Sequence, residues 1–388
     1  MTSQHDRASM TGASMSEARR LLAATMAEAA ERWLDALDAD QRSIAQWDFP
    51  ADDERRQWFY TPTDHGGLTL GQMSSPQQRL AFRLLASGLS HAGYVTMATI
   101  IGLENVLDHL EGFTASWNHP RGRDPQRYYV RVFGDPVSGR WSWRAGGHHI
   151  SLNFTIIDGA VAGTTPLFLG ADPASSPLLG PHPLRPLEGV EDLARELTRS
   201  LDVRQRPVAV VTPRAPSDLV LVNRASPRDG DEPRPLPDIW RGRLPGEFHD
   251  LAVRIQEAAD VAIPLTVDDL AAMSFTTTPK GLAAREMNVG QREMLNTLLR
   301  RYVDRLPDAL ADEEAAKFAG DRLHDVHLMW AGGLEPGEAH YYRLHSPVLI
   351  AEYDNTARGA NHVHTVWRNP QGDFADDILR RHHATHDH

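Results

Sequence analysis

The chain reads as an α+β protein with an antiparallel β-sheet core, built from two β-rich blocks at about residues 126–168 and 325–368 and flanked by helices. Three observations predict it. Each block carries short runs of β-branched and aromatic residues broken by Gly, Asp and Pro. Helical periodicity dominates between and before the blocks. Strands and helices do not alternate as βαβ units, and no G-x-G-x-x-G, G-K-[ST] or G-x-S-x-G motif is present.

In chain order, residues 1–15 lack an apolar pattern and are expected to be disordered. Residues 16–388 are expected to form a single unit. Leu21, Leu22, Met26, Ala29, Trp33 and Leu37 predict an amphipathic helix over 16–37. Ser75-Pro76 is a helix start, and an apolar helix follows over 94–110. Glu104 on that helix is read as a surface carboxylate, the common case for helical Glu. The first β block is read as a meander of four strands, with Asp158-Gly159 as a hairpin turn. Residues 187–323 form a mixed, helix-rich connection. In it 206–212 and 218–222 are expected as short strands, and the proline-rich stretch 212–246 as a surface excursion or lid. Helices are expected over 288–303 and 310–323. Four strands make the second block, and a helix over 374–381 closes the chain. Arg127-Tyr128-Tyr129-Val130-Arg131 resembles His340-Tyr341-Tyr342-Arg343, and each precedes a hairpin and a histidine pair. A likeness this short is expected by chance.

The 388 residues carry a net charge of −12, 41% hydrophobic and 24% charged residues. That balance fits a globular protein and argues against nucleic acid or an anionic membrane as partner. No run is long and apolar enough to span a membrane, and Arg19-Arg20 precedes an amphipathic segment rather than a signal core. A cytoplasmic location and a small-molecule substrate are therefore expected. There is no cysteine, which excludes disulfides, thiolate catalysis and Cys-ligated metal.

Histidine carries the chemistry, with 19 in the chain. In N-H-V-H-T-V-W, period-two alternation sends His362 and His364 to one face and Val363, Thr365 and Trp367 to the other. In the segment 148–154, His149, Ser151 and Asn153 share a face opposite Ile150, Leu152 and Phe154. His149, His362 and His364 thus make a three-nitrogen metal set, with His148 and His345 as further candidate ligands. Glu352, Asp354 and Arg343 are candidate catalytic groups, the carboxylates as base or imidazole partner. Arg144, Arg368, Asn153, Ser151 and Trp143 are candidate substrate contacts. His382, at the end of the closing helix, is a further candidate to fold back to the site.

The motifs W-S-W-R-A-G-G-H-H-I-S-L-N-F-T at 141–155, P-L-F-L-G-A-D-P-A at 166–174 and H-Y-Y-R-L-H-S-P, E-Y-D-N and H-V-H-T-V-W-R-N-P-Q-G-D-F within 340–374 resemble the bacterial family of unknown function DUF3500. The resemblance also covers Trp58-Phe59-Tyr60-Thr61-Pro62, Leu89-Ser90, Tyr94 and Leu103-Glu104. It implies that the histidine motifs belong to the family pattern and supplies no chemistry of its own. The residues themselves lead to an expected metal-dependent enzyme hydrolysing a small polar or anionic substrate. Zinc is the expected ion, with iron, copper or manganese as alternatives. An oxidoreductase on the same histidines and a non-catalytic binding protein are the other readings.

Overall fold

A computed structural model describes residues 4–376 and Leu379, with side chains from Glu17 onward. The expected disordered start and the tail histidines His382, His386 and His388 lie outside the described residues or their described side chains. The helix expected from residue 16 is the later part of α1 (Gln4–Asp35). It packs on α2 (Ser75–Ser87), and α3 (His91–Leu110) follows. Later come α4 (Glu188–Arg199) and α5 (Val289–Val303), which pack on each other.

The principal strands are β1 (Tyr129–Asp135), β2 (Arg140–Gly147), β3 (Ile150–Ile157), β4 (Ala160–Gly163), β5 (Leu167–Ala171), β6 (Val210–Thr212), β7 (His327–Gly332), β8 (His340–Ser346), β9 (Leu349–Thr356) and β10 (His362–Arg368). Among the described residues, one sheet of 13 strands joins both blocks. Its order is Gln46–Trp47, β1, β2, β3, β5, β10, β9, β8, β7, β6. The α+β expectation holds, but the sheet is mixed rather than antiparallel throughout. Gln46–Trp47 lies parallel to β1, and β6 lies parallel to β7.

That order is a palindrome, and the two halves repeat in detail. Leu68–Thr69 pairs with β1 as Leu282–Ala283 pairs with β7. Asp38 caps a helix in a reciprocal box with Gln41, and Asp202 and Gln205 exchange the same two bonds. Gln41 Nε2 donates to the Gln72 carbonyl, and Gln205 Nε2 to that of Glu286, each at 2.7 Å. Gln77 and Gln291 close the first turns of α2 and α5 and reach Gln41 and Gln205 in turn. A pseudo-twofold axis passes through the Leu167–Trp367 pair at the centre of the sheet. Register then pairs Arg131 with Met329, Arg144 with Arg343 and Asn153 with Glu352 as counterparts.

The counterpart of β1 is β7, not β8, so the two Tyr-Tyr runs are not equivalent. Nor are the two histidine segments. His148-His149 corresponds to Pro347-Val348, and His364, opposite Asp354, corresponds to Gly163, opposite Thr155; the stretch 160–164 holds no histidine.

One face of the sheet carries the helices and the main core, including Trp143, Leu152, Phe154, Leu169, Tyr342 and Tyr353. The other face presents Arg144, Ser151, Asn153, Phe168, His364, Val366, Glu352 and Arg343. Irregular chain covers it, with Trp58, Tyr60, Leu219, Val222 and Ile239 packed on Phe168 and Val366. Residues 218–222 are therefore not the expected strand. They form no ladder, and Leu219 to Val222 are 0% exposed, so this part of 212–246 is interior rather than a surface lid. Pro207 starts a helical turn over Arg206–Ala209, which confines that strand to β6. The helix expected over 310–323 divides into Asp308–Ala316 and a 3-10 turn at Gly320–Asp325.

Candidate metal centre

The site is built where the tip of the β2–β3 hairpin meets β10. His148 and His149 are the two loop residues of that hairpin. His149 takes φ +65°, a left-handed conformation that L-residues adopt at a cost of about 1 kcal/mol. Its backbone is fixed on both sides. Its N–H donates to the Tyr60 carbonyl at 2.9 Å, and its carbonyl accepts from Gly170 N at 2.8 Å. Gly170 on β5 has to be glycine here, since a Cβ would lie 2.8 Å from both the His149 ring and the Val363 carbonyl.

On β10 the alternation holds. His364 lies opposite Gly170 on β5 and Asp354 on β9, and His362 projects to the same side. The ring centroids of His149, His362 and His364 are 4.6 to 5.2 Å apart. His149 Nε2 and His362 Nε2 approach to 2.8 Å, and one nitrogen from each of the three lies within 4.8 Å of the others. Metal–nitrogen bonds of about 2.0–2.1 Å place tetrahedral ligand nitrogens roughly 3.3 Å apart. The donor set fits a divalent ion after small ring rotations.

The outer nitrogens have partners that orient the rings. His364 Nδ1 donates to Asp218 Oδ1 at 2.7 Å, which leaves Nε2 as a lone pair facing the cluster. Asp218 is itself held by the Tyr60 hydroxyl at 2.8 Å and by Leu219 N at 2.7 Å. Tyr60 stacks on Phe168 and meets the His364 ring edge-on at 4.9 Å. Burial, and then the Asp218 charge, push its phenol well above the usual range, so it stays a donor. His362 Nδ1 faces Asp172 Oδ2 across 3.7 Å, an electrostatic contact beyond hydrogen-bond range. Asp172 Oδ2 forms an ion pair with Arg358 Nε at 2.8 Å, and its Oδ1 has no hydrogen-bond partner. Burial lifts its carboxyl to about 6, against the pull of Arg358.

His148 turns away from this trio. Its ring stacks on His149 at 3.7 Å, Nδ1 shares a hydrogen bond with Glu104 Oε1 at 2.5 Å, and Nε2 faces Arg123 at 3.4 Å. Glu104 is thus buried with a partner, not on the surface as expected. The α3 face it occupies lies against the hairpin tip. Burial raises its carboxyl to about 8, with Arg123 opposing. Glu104, His148 and His149 form a second group of close donors, but the guanidinium beside it disfavours a cation. Burial first, and then the neighbouring cations, push His148, His149 and His362 well below the ordinary imidazole range. Neutral imidazole is the ligand form.

The other expected residues are dispersed. Asp354 is next to His364 across the β9–β10 pairing, with Thr356 donating to it at 2.8 Å. Burial, with Asp218 and Glu352 adding, raises its carboxyl well above the usual carboxylate range. Glu352 and Arg343 are fully buried and pair with each other at 3.3 Å, with Tyr341 also donating to Glu352. They meet each other rather than the histidines. His345 stands at the far end of β8 against the Phe275 ring, four residues or about 13 Å along the sheet from the row of His364. Arg368 pairs with Asp373 at 2.7 Å. Arg144 is taken up by Glu54 and the carbonyls of Gln57 and His65. Asn153 donates to Ser151 and to the Pro166 carbonyl. Trp143 stacks on Phe154 in the helical core at 4.5 Å, on the opposite face of the sheet.

Sequence reasoning missed Asp218, Asp172, Tyr60 and Arg123. Asp172 and Tyr60 lie within the motifs that carry the family resemblance, and Asp172 follows directly on a strand end. Asp218 lies in irregular chain that carries no periodic signal.

The family pattern described as "Protein of unknown function (DUF3500)" matches residues 20–376, nearly the whole chain. The protein belongs to DUF3500. No curated protein and no solved structure matches it. The matched stretch spans both the hairpin-tip histidines and the β10 pair. Among the described residues, no helix of this DUF3500 chain is long and apolar enough to cross a membrane.

Proposed function

We propose that this DUF3500 protein is a metal-dependent enzyme that hydrolyses a small polar or anionic substrate at the His149, His362 and His364 cluster. The observation that carries the reading is the 2.8 Å approach of His149 Nε2 to His362 Nε2, with His364 alongside and its Nδ1 turned outward onto Asp218. A divalent ion there would supply Lewis acidity, and zinc lowers the pKa of a bound water to about 7. The three imidazoles would hold it. Asp218 and Tyr60 would fix the His364 tautomer. Asp172, with one oxygen unpartnered, is the carboxylate best placed to take a proton, since Glu352 is held by Tyr341 and Arg343 and Asp354 is held by Thr356. Arg358, paired to Asp172 and Glu111, would favour an anionic substrate.

The test is elemental analysis of untagged protein never exposed to a metal column, beside a His362→Ala/His364→Ala double variant that keeps the histidine-rich tail. Near-stoichiometric zinc, lost in the variant, is the expected result and leads to ester, amide and phosphate substrates. Iron or copper lost in the variant would replace hydrolysis by an oxidative reaction. Absence of any metal after reconstitution would overturn the proposal.

A further inference from the structure

A second feature lies on the first-half side of the same polar face and is independent of the histidines. Glu54 accepts from three guanidiniums: Arg131 at 2.8 Å and Arg144 at 2.7 Å on Oε1, and Arg241 at 2.8 Å on Oε2. One carboxylate faces three cations, so the group is electropositive. Beside it opens a cavity of about 560 Å³ whose lining includes Arg127, Arg131, Arg241, His119, Tyr129 and Asp64. Asp64 is exposed, and its Oδ1 caps Gly66 N at 2.7 Å.

We propose that this cavity binds the oxyanion group of a small molecule, a carboxylate or a phosphate. Arg131 is 4% exposed, yet its Nε has no hydrogen-bond partner, and Arg241 Nη1 is likewise buried without one. Buried guanidinium N–H groups left without acceptors are costly, and planar oxyanions match their fork. The Trp47 indole covers Arg131 at 3.9 Å and holds the plane in place. Gly66 adopts φ +70°, and a Cβ there would lie 2.0 Å from Arg241 Nη1, so the glycine leaves room for the guanidinium. Burial and the neighbouring Arg144 and Arg241 push Arg131 down to about 10, consistent with a site that has more cation than anion.

The pseudo-twofold supplies a control within the molecule. The counterpart of Arg131 is Met329, in an apolar cluster with Val220, Met273 and Ala331. The counterpart of Gly66 is Lys280, whose ammonium donates to the carbonyls of Ala271 and Ser274. The second half keeps an arginine at the counterpart of Arg144, namely Arg343, but builds the counterpart of Arg131 as apolar core.

The test is isothermal titration of the full chain with inorganic phosphate and, separately, malonate, at low ionic strength. Saturable one-to-one binding of one anion is expected, and which one saturates separates phosphate from carboxylate ligands. Arg131→Met, which copies the second half, is expected to weaken binding by about tenfold or more, and Arg241→Gln by several-fold. His362→Ala is expected to leave it unchanged. If Arg131→Met does not fold, Arg241→Gln decides alone. The proposal is overturned if neither anion saturates at millimolar concentration, if the folded arginine variants bind as the wild type does, or if His362→Ala abolishes binding.

Discussion

The two halves of the sheet share a frame and differ in chemistry. Both use an Asp-x-x-Gln box, a glycine against a strand carbonyl, and a glutamine-capped helix. At the hairpin tips one half has His148-His149 and the other Pro347-Val348. On the central strands His362 and His364 stand where the first half has the histidine-free stretch 160–164, with Gly163 in the register position of His364. Each half thus contributes ligands to one corner only, and the pseudo-equivalent corner carries none. What the halves share is what the backbone needs. What they do not share marks where a ligand is handled.

The largest expected effect probes the shared frame. Gly67 has φ +119°, and a Cβ there would lie 2.6 Å from the Val130 carbonyl oxygen. Gly281 has φ +90°, and a Cβ there would lie 2.2 Å from the Leu328 carbonyl oxygen. Gly67→Ala and Gly281→Ala should each destabilise the fold by about 3 kcal/mol, the latter more. Urea unfolding measures both, and a large loss in one half only would break the equivalence. Next comes the unshared site. Asp218→Asn should cost about 10–100-fold in metal affinity, the usual effect of removing a carboxylate behind a ligating histidine. Competition with a chelating dye reads this out. Thr164→Ala, beside the counterpart of His364 in the first half, should leave affinity unchanged, and equal losses in the two variants would contradict a single-corner site.

The smallest effect is in pH dependence. Burial keeps His362 neutral in the folded chain, whereas the unfolded chain protonates it near pH 6.5. Below that pH the unfolded state binds the extra proton, so the stability present above about pH 6.5 is lost as pH falls. In EDTA, His362→Ala should flatten the fall in stability between about pH 6.5 and 5.5 by about 1 kcal/mol, the amount one imidazole takes up as the unfolded chain goes from half to mostly protonated. A Thr164→Ala chain should keep the wild-type slope.

The period of two made His362 and His364 readable as a pair, because in a strand the spacing alone fixes the face. It also placed Glu352 and Arg343 on the polar face. Alternation does not specify distance along a strand, however, and these two sit with Tyr341 rather than with the histidines. His149 was readable as a ligand but not as a turn residue, since its left-handed backbone depends on Tyr60 and Gly170 from elsewhere. Glu104 looked exposed because its burial comes from His148, a contact between a helix and a hairpin far apart in sequence. The repeat was present as L-D-x-x-Q-R at 37–42 and 201–206, and as G-L-x-x-x-x-M at 67–73 and 281–287. Insertions of different length between the two motifs hid it, and the Tyr-Tyr likeness pointed to the wrong strand.

His149 and His362 touch, yet 213 positions separate them along the chain. During synthesis the first half can fold on its hairpin long before β10 exists. An ion held by these histidines would therefore arrive last, after nearly the whole polypeptide has been made. Once bound, it would close a loop of more than half the chain, a cross-link whose effect on the unfolded ensemble grows with the length it spans.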